Sequence, residues 1–418
     1  MKKRKLFEKV LNEKSTNKIS IIIGPRQVGK TTILKALYEK LCIDHKCLFL
    51  DLDILENLEQ VNSFDRLINI LKLNGYKDNQ KEYFYLFLDE FQRYDGVSII
   101  MKNVYDNCKN IKIYASGSSS LKIKEQVQES LAGRKKMHFL YPLDFEEFLW
   151  FKEDTKAIEQ FNNIRELSGE GLKIPYLQNF LYEFMVYGGY PEVVLTENNA
   201  GKIEILKNIF DFYVKKDLVG YLKFGKILGV KKLIEYLAVN NAQKIRSEEV
   251  ADRCSMRQYE VKDYIEILKE TFLVLELRPF FTNKNKELVK MPKMYFIDNG
   301  VRNFFINNFN PINLRNDSGF LFEGYILGEL IKAGHENIKY WQDKNRHEVD
   351  FIIDFVSNQI PIEAKFKNKL KRDDFIGMNM FLKSYPKIKQ KYLINIGTQK
   401  KIQGIDLRLA FFDDLIKR

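Results

Sequence analysis

Cysteine is scarce and long apolar runs are missing. The 418 residues hold four cysteines, Cys42, Cys47, Cys108 and Cys254. Their spacing matches neither a zinc site nor the paired framework of a small secreted domain, so a reduced chain in the cytoplasm is expected. No stretch stays apolar long enough to span a bilayer, and no membrane partner is expected. Met1-Lys-Lys-Arg-Lys5 is basic, but no apolar segment follows it, so no secretory signal is expected either. Charge of neither sign is absent: 56 Asp and Glu are mixed among 68 Lys and Arg. The surplus of +12 and the pI near 9.1 favour a polyanionic partner, although a merely basic soluble chain has the same balance. Hydrophobic residues make up 45% of the chain, enough for full cores, which excludes general disorder. The length exceeds what one core usually serves, so two to four domains are expected.

Gly24-Pro25-Arg26-Gln27-Val28-Gly29-Lys30-Thr31 satisfies the phosphate-binding spacing G-x-x-x-x-G-K-[ST] at each fixed position. An apolar run, Ile19 to Ile23, precedes it and reads as a buried strand. Ile33, Leu34, Leu37 and Tyr38 follow at helical spacing. The glycines let successive backbone N–H groups point at phosphate oxygens, and the helix N-terminus adds partial positive charge. Gly24 through Thr32 therefore form the expected ATP cradle. Lys30 reaches the β- and γ-phosphates, and Thr31 offers its hydroxyl to Mg2+.

Cys47 to Leu52 reads as a second strand, with Asp51 and Asp53 as ordinary strand-end acids. Tyr83 to Leu88 is a third, and it runs into Asp89-Glu90. Asp89 is the expected magnesium-shell carboxylate and Glu90 the residue that orients or deprotonates the attacking water. Two adjacent acids also suit hydrolysis better than kinase chemistry. A fourth strand, Ile111 to Ala115, ends in Ser116-Gly-Ser-Ser-Ser120, where Ser118 is the candidate for contact with the γ-phosphate or the water. A plain serine-rich turn is the other reading. Arg134, in Leu131-Ala-Gly-Arg134, is a phosphate sensor, a finger given to a neighbouring subunit, or a surface arginine at a helix end.

These segments, with Leu88-Asp-Glu-Phe-Gln92 and Tyr141-Pro-Leu-Asp-Phe-Glu-Glu-Phe148, resemble the prokaryotic AAA-type ATPases that carry a C-terminal restriction-endonuclease-like domain. Tyr187-Gly-Gly-Tyr-Pro-Glu192 and Tyr213-Val-Lys-Lys-Asp-Leu218 extend the resemblance over nearly the whole chain. It implies an ATPase at the front and a nuclease-like domain at the back.

Residues 151–225 read as helical with mixed charge, and Gly188-Gly189 breaks the apolar patch Phe180 to Val186. They are expected to form a lid packed on the nucleotide domain. Residues 226–300 suggest a winged helix: helices over Leu228–Val239, Ser247–Cys254 and Arg257–Thr271, then two β-runs around the basic turn Thr282 to Lys286. Val261, Tyr264, Ile265 and Leu268 make the core stripe of the third helix. Arg257, Gln258 and Lys262 lie on its outer face beside Asp263 and Glu266, which leaves open either duplex DNA or a protein contact.

In the last segment, Glu323 falls on the apolar stripe of a helix from Phe320 to Lys332. A carboxylate facing a core is costly unless it is paired or binds a metal. Glu348-Val-Asp350 and Glu363-Ala-Lys365 follow, and alternation puts Glu363 and Lys365 on one face of a strand. Glu323, Asp350 and Glu363 are the expected metal ligands of a D…(D/E)-x-K set, and Lys365 the expected positioner of water or stabiliser of phosphate charge. If Val356 pairs with Ile360 around three loop residues, Asp350 opposes Phe366 and faces away from Lys365. A working site therefore requires an even-numbered loop or a bulge. His347 reads as a strand-edge residue. Lys365, Lys367, Lys369, Lys371 and Arg372 form a basic rim.

The expected architecture is α/β and multidomain. It has a P-loop AAA-type ATPase domain over 1–150, a helical lid over 151–225, a winged helix over 226–300 and a restriction-endonuclease-like α/β domain over 301–418. ATP and Mg2+ are the expected cofactors, with Mn2+ as an alternative in the last domain. DNA is the expected partner, and a homo-oligomer is compatible. The expected function is ATP hydrolysis coupled to a DNA-binding, metal-dependent nuclease-like domain. The alternative is an ATP-dependent DNA- or partner-binding switch with an inert nuclease-like domain.

Overall fold

A computed structural model of the chain describes residues 1–78, 81–118, 130–164, 175–213, 226–281, 291–355 and 358–410. The chain divides into two compact units, Met1–Pro142 with Glu270–Phe272, and Leu143–Lys269 with Leu273–Arg418.

The first unit is built on five parallel strands: β1 (Ile19–Gly24), β2 (Cys47–Asp51), β3 (Phe84–Asp89), β4 (Ile111–Ser118) and β5 (Lys135–Phe139), in the order β2-β3-β4-β1-β5. Strands β1, β3 and β4 are buried at every residue. That is why they read as unbroken apolar runs: both faces of a parallel sheet are covered by its crossover helices. Those helices are α1 (Lys5–Leu11), α2 (Lys30–Leu41), α3 (Leu55–Gln60), α4 (Phe64–Leu73) and α5 (Val97–Asn107). Helix α2 buries Ile33, Leu34 and Leu37, while Tyr38 packs edge-on against Phe49 and Phe87. Cys42 closes α2, Cys47 opens β2, and the short turn between them brings the pair into a disulfide. This corrects the expectation of four unpaired thiols.

The second unit begins with α6 (Phe145–Lys152), α7 (Thr155–Ile164), α8 (Pro175–Tyr187), α9 (Pro191–Leu195) and α10 (Asn199–Phe212). Of these, α7 to α10 were expected as a lid on the nucleotide domain, and α6 as the end of that domain. The structure places them instead in the core of the second unit, where Phe145, Phe148, Phe161, Leu181 and Phe184 pack with Tyr325, Phe351 and Ile362. The reason is their aromatic face: Phe145 and Phe184 both meet the Tyr325 ring edge-on. The break between units accordingly falls at Pro142 rather than near 150. Helix α6 opens on a capping box of Asp144 and Glu147. Gly188-Gly189 marks a close crossing: a Cβ at Gly189 would fall 2.4 Å from the Leu143 carbonyl oxygen, and one at Gly188 would fall 2.0 Å from Asp298 Oδ1.

Next come α11 (Ile227–Val239), β6 (Gln243–Lys244), α12 (Ser247–Cys254), α13 (Gln258–Glu270), β7 (Val274–Leu277) and β8 (Lys293–Phe296). The strands form an antiparallel sheet in the order β6-β8-β7. Val261, Tyr264 and Leu268 of α13 are buried, with Ile265 at the margin. The expected turn at 282–286 lies outside the described residues.

The remainder comprises α14 (Asn299–Phe305), α15 (Ser318–Lys332), β9 (Ile338–Gln342), β10 (Glu348–Phe355), β11 (Asn358–Ala364), α16 (Ile376–Ser384), β12 (Tyr392–Asn395), β13 (Lys400–Ile402) and β14 (Ile405–Leu409). Its six-stranded mixed sheet runs β13-β14-β12-β11-β10-β9. One face packs on α15 through Phe351, Ile360 and Ile362. The other packs on α16 through Val349, Ile352 and Leu393. Backbone bonds from Phe280 N to Tyr340 O and from Tyr340 N to Arg278 O, 2.5 and 3.0 Å, join the chain after β7 to the β9 edge.

A buried ionic knot fastens α14 to α15. Asp317 pairs with Arg302 and, at 2.8 Å, with Arg315, whose side chain is fully buried. Burial opposes the Asp317 charge, but the two guanidinium groups outweigh it and lower its pKa from 3.8 to about 2. The unfolded carboxyl titrates higher, so this stabilisation is complete above about pH 4 and is lost as pH falls toward 2. Asp317→Asn strands two buried cations. Chemical denaturation at pH 7 should show a loss of about 3 kcal/mol, shrinking as the pH is lowered to about 2.

Candidate functional site

The phosphate-binding loop leaves β1 at Gly24 and enters α2 at Lys30. Gly29, at φ +96°, makes the left-handed turn into the helix. A Cβ at Gly24 would fall 1.9 Å from the Leu140 carbonyl oxygen, so only glycine fits there. Lys30 is buried and donates to the carbonyls of Gly24 and Pro25 at 3.0 and 2.7 Å. Pro25 and Val28 are buried as well, Arg26 and Thr31 are half-buried, and Gln27 and Thr32 are exposed. Arg4 belongs to the basic N-terminal run, yet it is buried and braces this loop. It donates to Val28 O at 2.8 Å and to Tyr141 O at 2.9 Å.

The interposed strand β4 separates β1 from β3 and pairs Gly24 with Ser118. At the end of β3, Asp89 is 1% exposed. Burial pushes its pKa up, joined by the Glu90 and Asp51 charges and opposed by hydrogen bonds from Ser116 and Thr31. The Thr31–Asp89 contact brings together the hydroxyl and carboxylate that suit a magnesium ion held beside a triphosphate. Glu90 sits in the left-handed region at φ +51°, a strained conformation common in functional positions. Its carboxylate accepts from Gln92 Nε2, which also donates to Ser118 Oγ at 3.0 Å. Gln92 Oε1 is buried without a partner. A Cβ at Gly117 would fall 2.6 Å from that oxygen, so the glycine makes room for it. Ser118 therefore reaches Glu90 through Gln92. Sequence reasoning missed Ser116, Gln92 and Arg4. The signal for Gln92 was its place two residues after Glu90.

Arg134 lies elsewhere. Its carbonyl accepts from Ile19 N at the start of β1, and six residues of strand put it roughly 15–20 Å from the loop. Its guanidinium grips Asp106 at 2.7 and 3.0 Å. A sensor acting on its own chain's nucleotide is thereby corrected, because the residue stands at the opposite end of the sheet.

In the second unit, β10 and β11 pair with Phe351 opposite Ile362 and Phe355 opposite Asn358, which leaves a two-residue connection. Continuing that register sets Asp350 opposite Glu363, as the even-numbered alternative required. A bulge between Val349 and Ile352 in the β9 pairing adds local twist where Asp350 stands. Asp350 Oδ2 accepts from Ala364 N at 2.8 Å. Glu363 Oε1 accepts from Lys365 Nζ at 2.5 Å. Glu363 Oε2 is buried and has no hydrogen-bond partner. Burial first, and then the Asp350 charge, push the carboxyls of Glu323 and Glu363 up to about 8. Burial opposes the Lys365 charge, but Glu363 and Asp350 overcome that and raise its pKa. Glu323, on α15, accepts from Tyr295 OH at 3.2 Å.

The structure thus gathers Glu323, Asp350, Glu363 and Lys365, with Lys293 and Glu348, which sequence reasoning did not include. Among the described residues, no three His, Cys, Asp or Glu side chains converge as a ready metal cage. His347 pairs with Asp343 at 2.7 Å. Lys367, Lys369, Lys371 and Arg372 are exposed after β11.

A parallel sheet with this loop, an interposed strand, a buried Asp89 and a half-buried Glu90 beside it defines a P-loop nucleotide-binding fold of the α/β class. A family model described as an AAA domain matches residues 16–149, and the protein carries an AAA-type ATPase domain there. Two domains of unknown function, DUF8612 and DUF4143, match residues 178–311 and 318–408. The chain is 28% identical to an uncharacterized protein of Methanocaldococcus jannaschii, over 81% of this chain and 72% of that one. It is 24% identical to an uncharacterized protein of Haemophilus influenzae, over 86% of each. A Walker-type ATPase of Pyrococcus abyssi aligns with a TM-score of 0.49 at 14% identity, covering 73% of this chain and 96% of that one.

The Gln92 contacts give a kinetic expectation. Gln92→Ala leaves Glu90 unheld, and if Glu90 orients the attacking water this costs turnover rather than binding. ATP turnover should fall by roughly tenfold to a hundredfold, with KM for ATP changed by less than about threefold.

Proposed function

We propose that ATP hydrolysis in the first unit governs a DNA-directed, metal-dependent nuclease-like site in the second. The observation that carries this reading is the buried, unpartnered Glu363 oxygen on a strand whose register, continued by one residue past Phe351–Ile362, opposes Glu363 to Asp350, two residues from Lys365.

In the ATPase, Lys30 binds the β- and γ-phosphates and the backbone of Gly24 to Gly29 cradles them. Thr31 and Asp89 hold Mg2+, which neutralises phosphate charge when bound. Glu90, steadied by Gln92 and Ser118, orients the attacking water and takes its proton. Arg134 is assigned to a neighbouring subunit's nucleotide in a homo-oligomer, since its own loop is out of reach.

In the second unit, Asp350 and Glu363 are the ligands for Mg2+ or Mn2+, and Glu323 supports them. The ion would supply Lewis-acid polarisation of a phosphodiester. Lys365 positions water or steadies phosphate charge. Its raised pKa keeps it cationic, and the exposed basic rim suits a phosphate backbone. Helices α11 to α13 with β6 to β8 are read as a winged helix, and residues 301–418 as a restriction-endonuclease-like domain. The charges near α13 are largely paired among themselves, Lys226 with Glu260 and Lys269 with Glu266 and Glu276. A cytoplasmic location is part of the same proposal.

A second reading, a nucleotide-dependent switch with an inert nuclease-like domain, draws on the lysines already bound to the acid cluster and on the lack of a ready metal cage among the described residues. Mutants separate the two. Lys30→Ala should abolish ATP binding, and Glu90→Gln should bind ATP while losing about 10²–10⁴-fold in turnover. Full turnover in Glu90→Gln would exclude that residue as the base. Asp350→Ala and Lys365→Ala should each abolish Mn2+-dependent nicking of DNA while ATP turnover persists. If the unmodified protein cuts no form of DNA with either ion, the switch reading stands.

A further inference from the structure

Strand β8 reads Lys293-Met294-Tyr295-Phe296, and alternation puts Lys293 and Tyr295 on one face. Both are buried, at 4% and 0% exposure. Lys293 Nζ lies 3.7 Å from Glu323 Oε2 and forms an ion pair with Glu348 Oε1. Tyr295 OH donates to the same Glu323 oxygen. The central strand of the three-stranded sheet therefore inserts an ammonium and a phenol into an acid cluster built by α15 and the six-stranded sheet.

Packing alone gives no reason for a lysine here. Taking an ammonium out of water is costly unless carboxylates surround it, and an apolar side chain of similar length would fill the space without that cost. Glu348 does not depend on Lys293 alone, because Gln342 donates to it at 3.0 Å and Lys244 lies 3.5 Å away. The cluster has the stronger need for a cation. Glu323, Asp350 and Glu363 repel one another, and Lys293 neutralises them from the Glu323 side while Lys365 does so from the Glu363 side.

We propose that Lys293 is a tethered cation that stands in for a divalent metal ion at the Glu323–Asp350–Glu363 cluster, and that the ion is held tightly only when β8 withdraws this side chain. The inference rests on the metal-site reading above. A divalent cation bound to Glu323 cannot share its oxygen with an ammonium a contact distance away without strong repulsion. Glu363 Oε2, which has no hydrogen-bond partner, is the oxygen left available to the incoming ion.

Titration of the full-length protein with Mn2+, read by electron paramagnetic resonance of the free ion, tests this. Lys293→Met keeps the aliphatic stem and removes the charge, and it should bind Mn2+ about tenfold or more tightly than the unmodified chain. Lys293→Arg, which restores the charge, should bind like the unmodified chain. Adding Asp350→Asn to Lys293→Met should remove the tight site. Equal affinity in Lys293→Met and the unmodified chain, abolished in both by Asp350→Asn, would overturn the competing role while leaving the metal site intact. If neither shows binding that Asp350→Asn removes, the metal-site reading fails and the inference falls with it. Should Lys293→Met fail to fold by circular dichroism, Glu348→Gln takes its place. Loosening the lysine's anchor should then tighten Mn2+ binding by about threefold, and unchanged affinity would overturn the proposal.

Discussion

The cost of taking carboxylates out of water organises both candidate sites. Asp89, Asp350 and Glu363 are all at least 95% buried. Each is held by groups that its surroundings place there: the hydroxyls of Thr31 and Ser116 on Asp89, the Ala364 amide on Asp350, and the Lys365 ammonium on Glu363. A buried anion without such partners would shed its charge or open the fold. The partners satisfy most of each carboxylate's needs and leave a remainder that a cation can complete. In the first unit, on the proposed reading, a Mg2+-bound triphosphate would meet it. In the second, a lysine from another sheet already meets part of it.

The two units reach this condition by different means. The parallel sheet brings Thr31 to Asp89 because β4 and β1 carry the loop past the end of β3, and the ends of parallel strands gather at one edge. The mixed sheet relies on register. With two residues joining β10 to β11, the register continued past Phe351–Ile362 sets Asp350 opposite Glu363; one residue more would turn Asp350 to the opposite face. The bulge opposite β9 leaves Val349 and Ile352 in the α16 core while Phe351 enters the α15 core. Both faces of the sheet are thus covered around an ionic site at its middle.

Legibility in the sequence followed the same division. Strands β1, β3 and β4 were readable because burial on both faces leaves a solid apolar run, and α2 because its stripe recurs at helical spacing. The register of β10 and β11 was readable only as a condition, since loop parity is not written in residue type. The helices over 155–212 were legible as helices, but not in their destination. Their aromatic residues say that they pack, not against what, and Tyr325 lies more than a hundred residues away. Arg134 misled because a glycine-arginine segment near a P-loop carries no record of which end of the sheet it occupies. The Cys42–Cys47 pair was missed because composition argues against disulfides in general, while a tight helix–strand turn can bring two cysteines together in particular.

By itself, the sequence determined the phosphate-loop pattern and the identities of the acids and lysines proposed to carry chemistry. Eight consecutive residues contain the whole geometry of a phosphate loop, and local spacing is all that geometry needs. Only the tertiary structure decided which charges meet: Arg4 with the Val28 carbonyl, Arg134 with Asp106, and Lys293 with Glu323. Those partners lie 24 to 30 residues apart in the chain. Their meeting depends on strand order and on the burial that follows from it, and neither the period of a helix nor that of a strand encodes such an encounter.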